Sequence, residues 1–102
     1  MAISFPAGGE AWDGDRNAVT FAAWSDDGRR VRCAISLEAL EDHFGVDEKL
    51  EALEGFRNHR GAIERVAERL IRRRRLEPDD SVLIRSQDCQ AFASEQAGSR
   101  KR

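Results

Sequence analysis

Apolar and small residues fall on every second position from Ala18 onward, as Val19, Phe21 and Ala23, and the alternation resumes after "SDDGR" with Val31, Cys33 and Ile35. A period of two marks half-buried strands, so the two runs predict a hairpin. The apolar rows also decide its turn. A two-residue Asp27-Gly28 loop would set Val31 opposite Trp24 and send the rows to opposite sides of the sheet. A three-residue loop, Asp26-Asp27-Gly28, instead pairs Ala23 with Val31, Phe21 with Cys33 and Val19 with Ile35. The longer loop is therefore predicted, with Gly28 in the left-handed position it needs. On the other face this register sets Trp24 opposite Arg30, Ala22 opposite Arg32 and Thr20 opposite Ala34.

Ahead of the hairpin, Ile3 and Phe5 flank Ser4 and the pattern stops at Pro6, as in a short edge strand. Gly8, Gly9 and Gly14 read as loop. Beyond the hairpin the period lengthens. Ser36 is a candidate N-cap, Leu37, Leu40 and Phe44 form one helical stripe, and Gly45 is placed to end it. Asp47 can cap a second, longer helix with the stripe Leu50, Leu53, Phe56, Ile63, Val66 or Ala67, Leu70 and Ile71. Gly55 and Gly61 each weaken that helix by about 1 kcal/mol relative to alanine, so a kink or break is expected near them. "SVLIR" after Pro78 reads as a final strand.

These elements predict an α+β domain whose antiparallel sheet follows the order β-β-β-α-α-β, with two helices packed on one face. Residues 1–89 form the expected domain and residues 90–102 a flexible C-terminal tail. The chain has 102 residues, 35% of them charged, with a net charge of −2, so no global field draws it to polyanions or anionic membranes. The start shows no signal-peptide pattern and no apolar run long enough for a span, which suggests a cytoplasmic protein. Two distant cysteines in a reducing compartment are read as free thiols.

The string "ISFP", Trp12-Asp13 after a loop, the hairpin "VTFAAWSDDGRRVRCAIS", the helix "LEALEDHFG" and "FRNHRGAIERVAERLI" together resemble the domain-of-unknown-function 1488 family of small bacterial proteins. The resemblance runs from Ile3 to about Ile84. It implies a compact α+β domain of bacterial cytosolic origin and no assigned activity, and it carries over no catalytic residue.

Candidate chemistry is sparse. Cys33 shares its face with Val31 and Ile35, where a buried thiol forms little thiolate. Cys89, at the end of the last strand, is expected to be more exposed. His43 and His59 fall outside the spacings that place two metal ligands on one helical face. Glu64 and Glu68 are a turn apart, but serve best as partners of nearby arginines. Arg60 interrupts the apolar stripe, so its stem is expected to cover the core edge while its guanidinium clamps an acid or carbonyl of the Trp12-Asp13 loop. Phosphate-binding and dinucleotide-binding glycine motifs are absent from the sequence, as is a recognisable nucleophile–base set. The reading is a non-enzyme without cofactor, metal or small-molecule substrate.

Surface candidates remain. Trp24 beside Arg30, with Arg32 on the same face, forms an aromatic and basic patch on an uncovered sheet. The run "LIRRRRLEPDD" contributes Arg72, Arg73 and Arg75 at a helix end, where positive charge complements the helix dipole. Residues 37–54 hold seven acids against Lys49, and residues 57–75 hold eight arginines against Glu64 and Glu68. Such division favours a protein-interaction or regulatory module, with a homodimer as one form. The alternative is weak, sequence-independent nucleic-acid binding through the arginine-rich helix end and the basic tail of Arg100, Lys101 and Arg102.

Overall fold

The computed structural model describes residues 2–99, those after Ser94 by their backbone alone. Two short strands, β1 (Ile3–Ser4) and β2 (Ala11–Asp13), lie along the same edge of the long strand β3 (Ala18–Ser25). β1 is the expected edge strand. β2 replaces part of the expected loop, because Asp13 Oδ1 accepts from the amides of Asp15 and Arg16 and turns the chain back onto β3.

Strand β4 (Arg30–Ser36) pairs with β3 in the register the apolar rows require: Ala23 with Val31, Phe21 with Cys33, Val19 with Ile35. The turn closes through the Ser25 amide on the Arg29 carbonyl at 2.9 Å, and Gly28 takes φ 85°. Asp26-Asp27-Gly28 is thus the three-residue loop, with Gly28 in the backbone region that side chains disfavour.

Helix α1 (Leu37–His43) begins where Ser36 accepts from the amide of Ala39 at 3.1 Å. Gly45, at φ 73°, follows its end. The expected long second helix is divided. A single 3-10 turn (Lys49–Glu51) leads into α2 (Ala52–Asn58), and α3 (Arg60–Arg72) follows after a break at His59. The break falls between the two glycines, in the region expected: His59 leaves helical geometry at φ −121°, ψ 22°, and Phe56 and Ile63 on either side of it are both fully buried. Asp47 does not supply the cap; its amide instead donates to Glu51 Oε1 at 3.1 Å. Leu50, expected in the stripe, is 85% exposed, and Ala52 is buried in that region.

Gly55 has a packing role. A Cβ there would run into the Val46 side chain, so the glycine lets buried Val46 close against α2.

Strand β5 (Val82–Ile84) pairs with β4 in parallel, Cys33 with Val82 and Ile35 with Ile84. The sheet is therefore mixed, in the order β1-β3-β4-β5 with β2 also on β3, and not wholly antiparallel as expected. The helices form a crossover: α3 ends beside the hairpin turn, so β5 enters from the end at which β4 starts.

The expected tail from residue 90 is also corrected. Helix α4 (Ser86–Ser99) runs across that boundary, buries Cys89 at 5% exposure and packs Phe92 against the core. Residues 100–102, with the expected basic tail, lie outside the described residues.

One core lies between the sheet and the helices, built on Val19, Phe21, Ile35, Leu40, Phe56, Ile63 and Ile84. The opposite sheet face carries Thr20, Ala22, Trp24, Arg30 and Arg32, of which the last three are exposed. Among the described residues, no helix is long and apolar enough to cross a membrane.

Candidate functional site

The end of α3 determines where its arginines go. The Arg75 amide donates to the Leu70 carbonyl at 2.9 Å and the Arg74 amide to that of Ile71 at 3.1 Å, which is the Schellman pattern. Arg74 adopts φ 56°, where glycine is the usual occupant and another side chain costs about 1–2 kcal/mol. Here the strained residue lies at a surface depression.

That depression is a cleft of about 830 Å³ between the hairpin and the helix end. Arg29 and Arg30 line it from the hairpin, and Arg72 and Arg74 from the helix end. Its floor is apolar, formed by buried Ile71 and half-buried Val31 and Leu76. Asp27 and Asp80 complete the lining, and Asp80 also has positive φ, at 68°.

The charges are unequally satisfied. The Asp27 carboxyl is lowered from its ordinary value, first because the Ser25 hydroxyl donates to it and then through the Arg29 amide. Arg72 is paired with Glu68 at 2.8 Å. The guanidinium groups of Arg30 and Arg74 have no hydrogen bond or ion pair among the described residues. Two exposed cations above an apolar floor can take up an anionic group whose neighbour is apolar.

Arg30 also lines a smaller depression of about 270 Å³ on the uncovered sheet face, with Arg16, Arg32, Asp13 and Thr20. Arg32 pairs there with Asp79 at 3.3 Å, and Arg16 with Asp13 at 3.8 Å. The Ser81 hydroxyl and amide, followed by the charge of Arg32, hold the Asp79 carboxyl below its ordinary value. Trp24 stands opposite Arg30 as the register requires and is 39% exposed. A guanidinium does lie over an aromatic ring elsewhere: that of Arg60 is 5.2 Å from the centre of Phe56.

Of the six surface residues singled out in the sequence, Arg30 and Arg72 meet in the cleft, and Trp24 and Arg32 flank it on the sheet face. Arg73 and Arg75 are exposed at the same helix end but do not line the cleft. Arg29 and Arg74 were missed. Arg74 belongs to the same arginine run as Arg72, but only the Schellman turn and the parallel return of the chain bring it to the cleft with Arg29.

A second polar cluster is structural. Glu10 Oε1 accepts from Arg60 Nη1 at 2.8 Å and Oε2 from Arg57 Nε at 2.6 Å. Arg57 first, then the residue's own amide and Arg60, hold the Glu10 carboxyl at about 2. Arg60 also donates to the Pro6 carbonyl at 2.8 Å and to Glu64 at 2.7 Å. The expected clamp therefore forms, on the Glu10 carboxylate and the Gly8 carbonyl of the loop that leads to Trp12-Asp13, and on the Pro6 carbonyl just before it.

Both thiols are free and buried. Burial pushes Cys33 up to about 12, and burial together with the nearby Asp88 carboxylate pushes Cys89 up to about 11. Cys89 is thus less exposed than expected, because it lies in α4, not at the end of a strand, and packs into the core. The His59 ring packs against Phe44 at 5.3 Å between ring centres. Among the described residues, no three His, Cys, Asp or Glu side chains gather as metal ligands would.

Residues 3–84 match the family model described as "Protein of unknown function (DUF1488)". The chain is 41% identical over 71 residues to the uncharacterized protein YrdB of Escherichia coli strain K12, covering 70% of this chain and 81% of that protein. The Shigella flexneri protein of the same name is 39% identical over 71 residues, with the same coverage. A crystal structure of a protein of unknown function from this family, from Shewanella loihica PV-4, superposes with a TM-score of 0.71 at 26% identity. It covers 80% of this chain and 90% of that one. The helix-end arginines lie within the matched region, whereas α4 lies wholly beyond it.

Proposed function

Because the chain belongs to the DUF1488 family of proteins of unknown function, its role has to be read from its surfaces, and we propose a non-catalytic module that binds an acidic protein segment. The cleft between the hairpin and α3 receives that segment. The observation that carries this reading is a pair of guanidinium groups with no hydrogen bond or ion pair among the described residues, those of Arg30 and Arg74, two residues that line the cleft together with Val31, Ile71 and Leu76. Carboxylates of the partner meet the arginines, and an apolar side chain between them covers the floor. Two free, buried thiols suit action in the reducing cytosol.

Fluorescence anisotropy with a labelled peptide of glutamates around a central leucine tests the reading. Binding weakens at least about tenfold in an Arg30→Glu/Arg74→Glu variant and falls with added salt. Equal affinity for the variant and the wild type overturns it.

One observation favours a second reading. Trp24, 39% exposed and directly opposite Arg30, is a surface on which a nucleic-acid base can stack while Arg30 and Arg32 meet phosphates. This reading fails if labelled single-stranded DNA and RNA show no anisotropy change at low salt.

A further inference from the structure

The acidic half of the molecule carries a feature of the opposite kind to the cleft. The 3-10 turn Lys49–Glu51 displays Leu50 at 85% exposure. Asp47, Glu48, Glu51 and Glu54 around it are all exposed, with Lys49 as the single cation of the segment. This knob is held on a firm base: Val46 and Ala52 on either side of it are buried, and Val46 closes on Gly55. The Glu51 carboxylate accepts the Asp47 amide at 3.1 Å, which braces the loop.

One exposed leucine is ordinary on a protein surface. What distinguishes this one is its complementarity to the cleft: an apolar tip ringed by acids, against an apolar floor lined by four arginines, which outnumber Asp27 and Asp80. We propose that the occupant of the cleft is the residue 47–54 knob of a second copy of this chain. Leu50 enters over Val31, Ile71 and Leu76, and the surrounding carboxylates meet Arg30 and Arg74. No residue of the knob lines the cleft of its own chain. Helix α3, roughly 20 Å long at helical rise, runs from the end of α2 to the cleft and sets the two surfaces apart. Each copy therefore offers one knob and one cleft, and contact between different patches joins copies head to tail.

This inference rests on the cleft being a site for acidic segments, and sedimentation velocity at low salt separates the two ideas. Wild type self-associates, and the association weakens at least about tenfold in high salt. Leu50→Asp and Arg30→Glu/Arg74→Glu each abolish it without changing the melting temperature, since all three side chains are exposed. An equimolar mixture of the two variants then recovers a heterodimer, because the intact knob of one fits the intact cleft of the other. A wild type that stays monomeric at its highest soluble concentration overturns the inference, as does association that survives in both variants. If wild type is monomeric yet binds the glutamate–leucine peptide through Arg30 and Arg74, only the second copy is excluded. If the peptide does not bind dilute wild type, the cleft reading itself falls.

Discussion

Arg60 and Glu10, fifty positions apart in the chain, meet with the guanidinium Nη1 2.8 Å from the carboxylate Oε1, both side chains mostly hidden from solvent. The contact ties the loop between β1 and β2 to the start of α3. Through Pro6 and Glu64 the same guanidinium also holds the chain on either side.

Replacing Arg60 by alanine removes these bonds together and uncovers Phe56. The expected loss is about 2 kcal/mol, measured by urea unfolding. Arg60→Lys recovers only part of it, because one ammonium cannot reproduce the planar fork that reaches several acceptors. A midpoint unchanged in Arg60→Ala contradicts the clamp.

Acid titration reads the same site. The Glu10 carboxyl lies at about 2 in the fold against an ordinary 4.5, because the Arg57 and Arg60 guanidinium groups favour its ionised form. A depressed carboxyl stabilises the fold fully above 4.5 and loses that contribution as pH falls toward 2. Thermal melts between those limits decline with pH in wild type, and Glu10→Gln flattens the decline. Asp27 and Asp79, also lowered, leave a residual slope in that variant.

Gly55→Ala is predicted to destabilise even though alanine is the better helix former. The added Cβ collides with Val46, and overpacking of this kind costs about 1–3 kcal/mol. Combining it with Val46→Ala relieves much of the clash, so a double-mutant cycle shows strong coupling.

Arg74→Gly should do the reverse, raising stability by about 1 kcal/mol by removing the strain of a side chain at φ 56°. It also deletes one cleft cation, so affinity for the glutamate–leucine peptide falls in a protein that melts at a higher temperature. A gain in both properties would separate Arg74 from binding.

The thiols are predicted to stay silent toward a disulfide reagent at neutral pH in the native protein, and to react fully once it is unfolded. Cys33, pushed to about 12, reacts more slowly under native conditions than Cys89, at about 11.

Local pattern and tertiary contact divided the fold between them. The hairpin register was legible because a slip of one residue would expose Val31, Cys33 and Ile35 together. The start of α1 was legible because a serine cap and the residue it bonds are sequence neighbours. A break near Gly55 and Gly61 was legible from their low helix propensity, but its position at His59, between buried Phe56 and Ile63, was not. Leu50 shows the same limit: its spacing fits the buried stripe, but the 3-10 turn rotates it outward.

The candidate site divides likewise. The charge pattern alone separated acids from arginines along the helices and pointed to Arg72, and the hairpin register pointed to Arg30 as the neighbour of Trp24. Which arginines share a surface was decided by the parallel return of β5 and by the turn at Arg74. These depend on contacts between segments distant in sequence, and periodicity reports only which face a residue occupies within its own element. The sequence by itself determined the hairpin, most of the helical stripes and the polarity of charge, since all are local regularities. Only the tertiary structure decided that Arg29 and Arg30 would face Arg72 and Arg74 across an apolar floor.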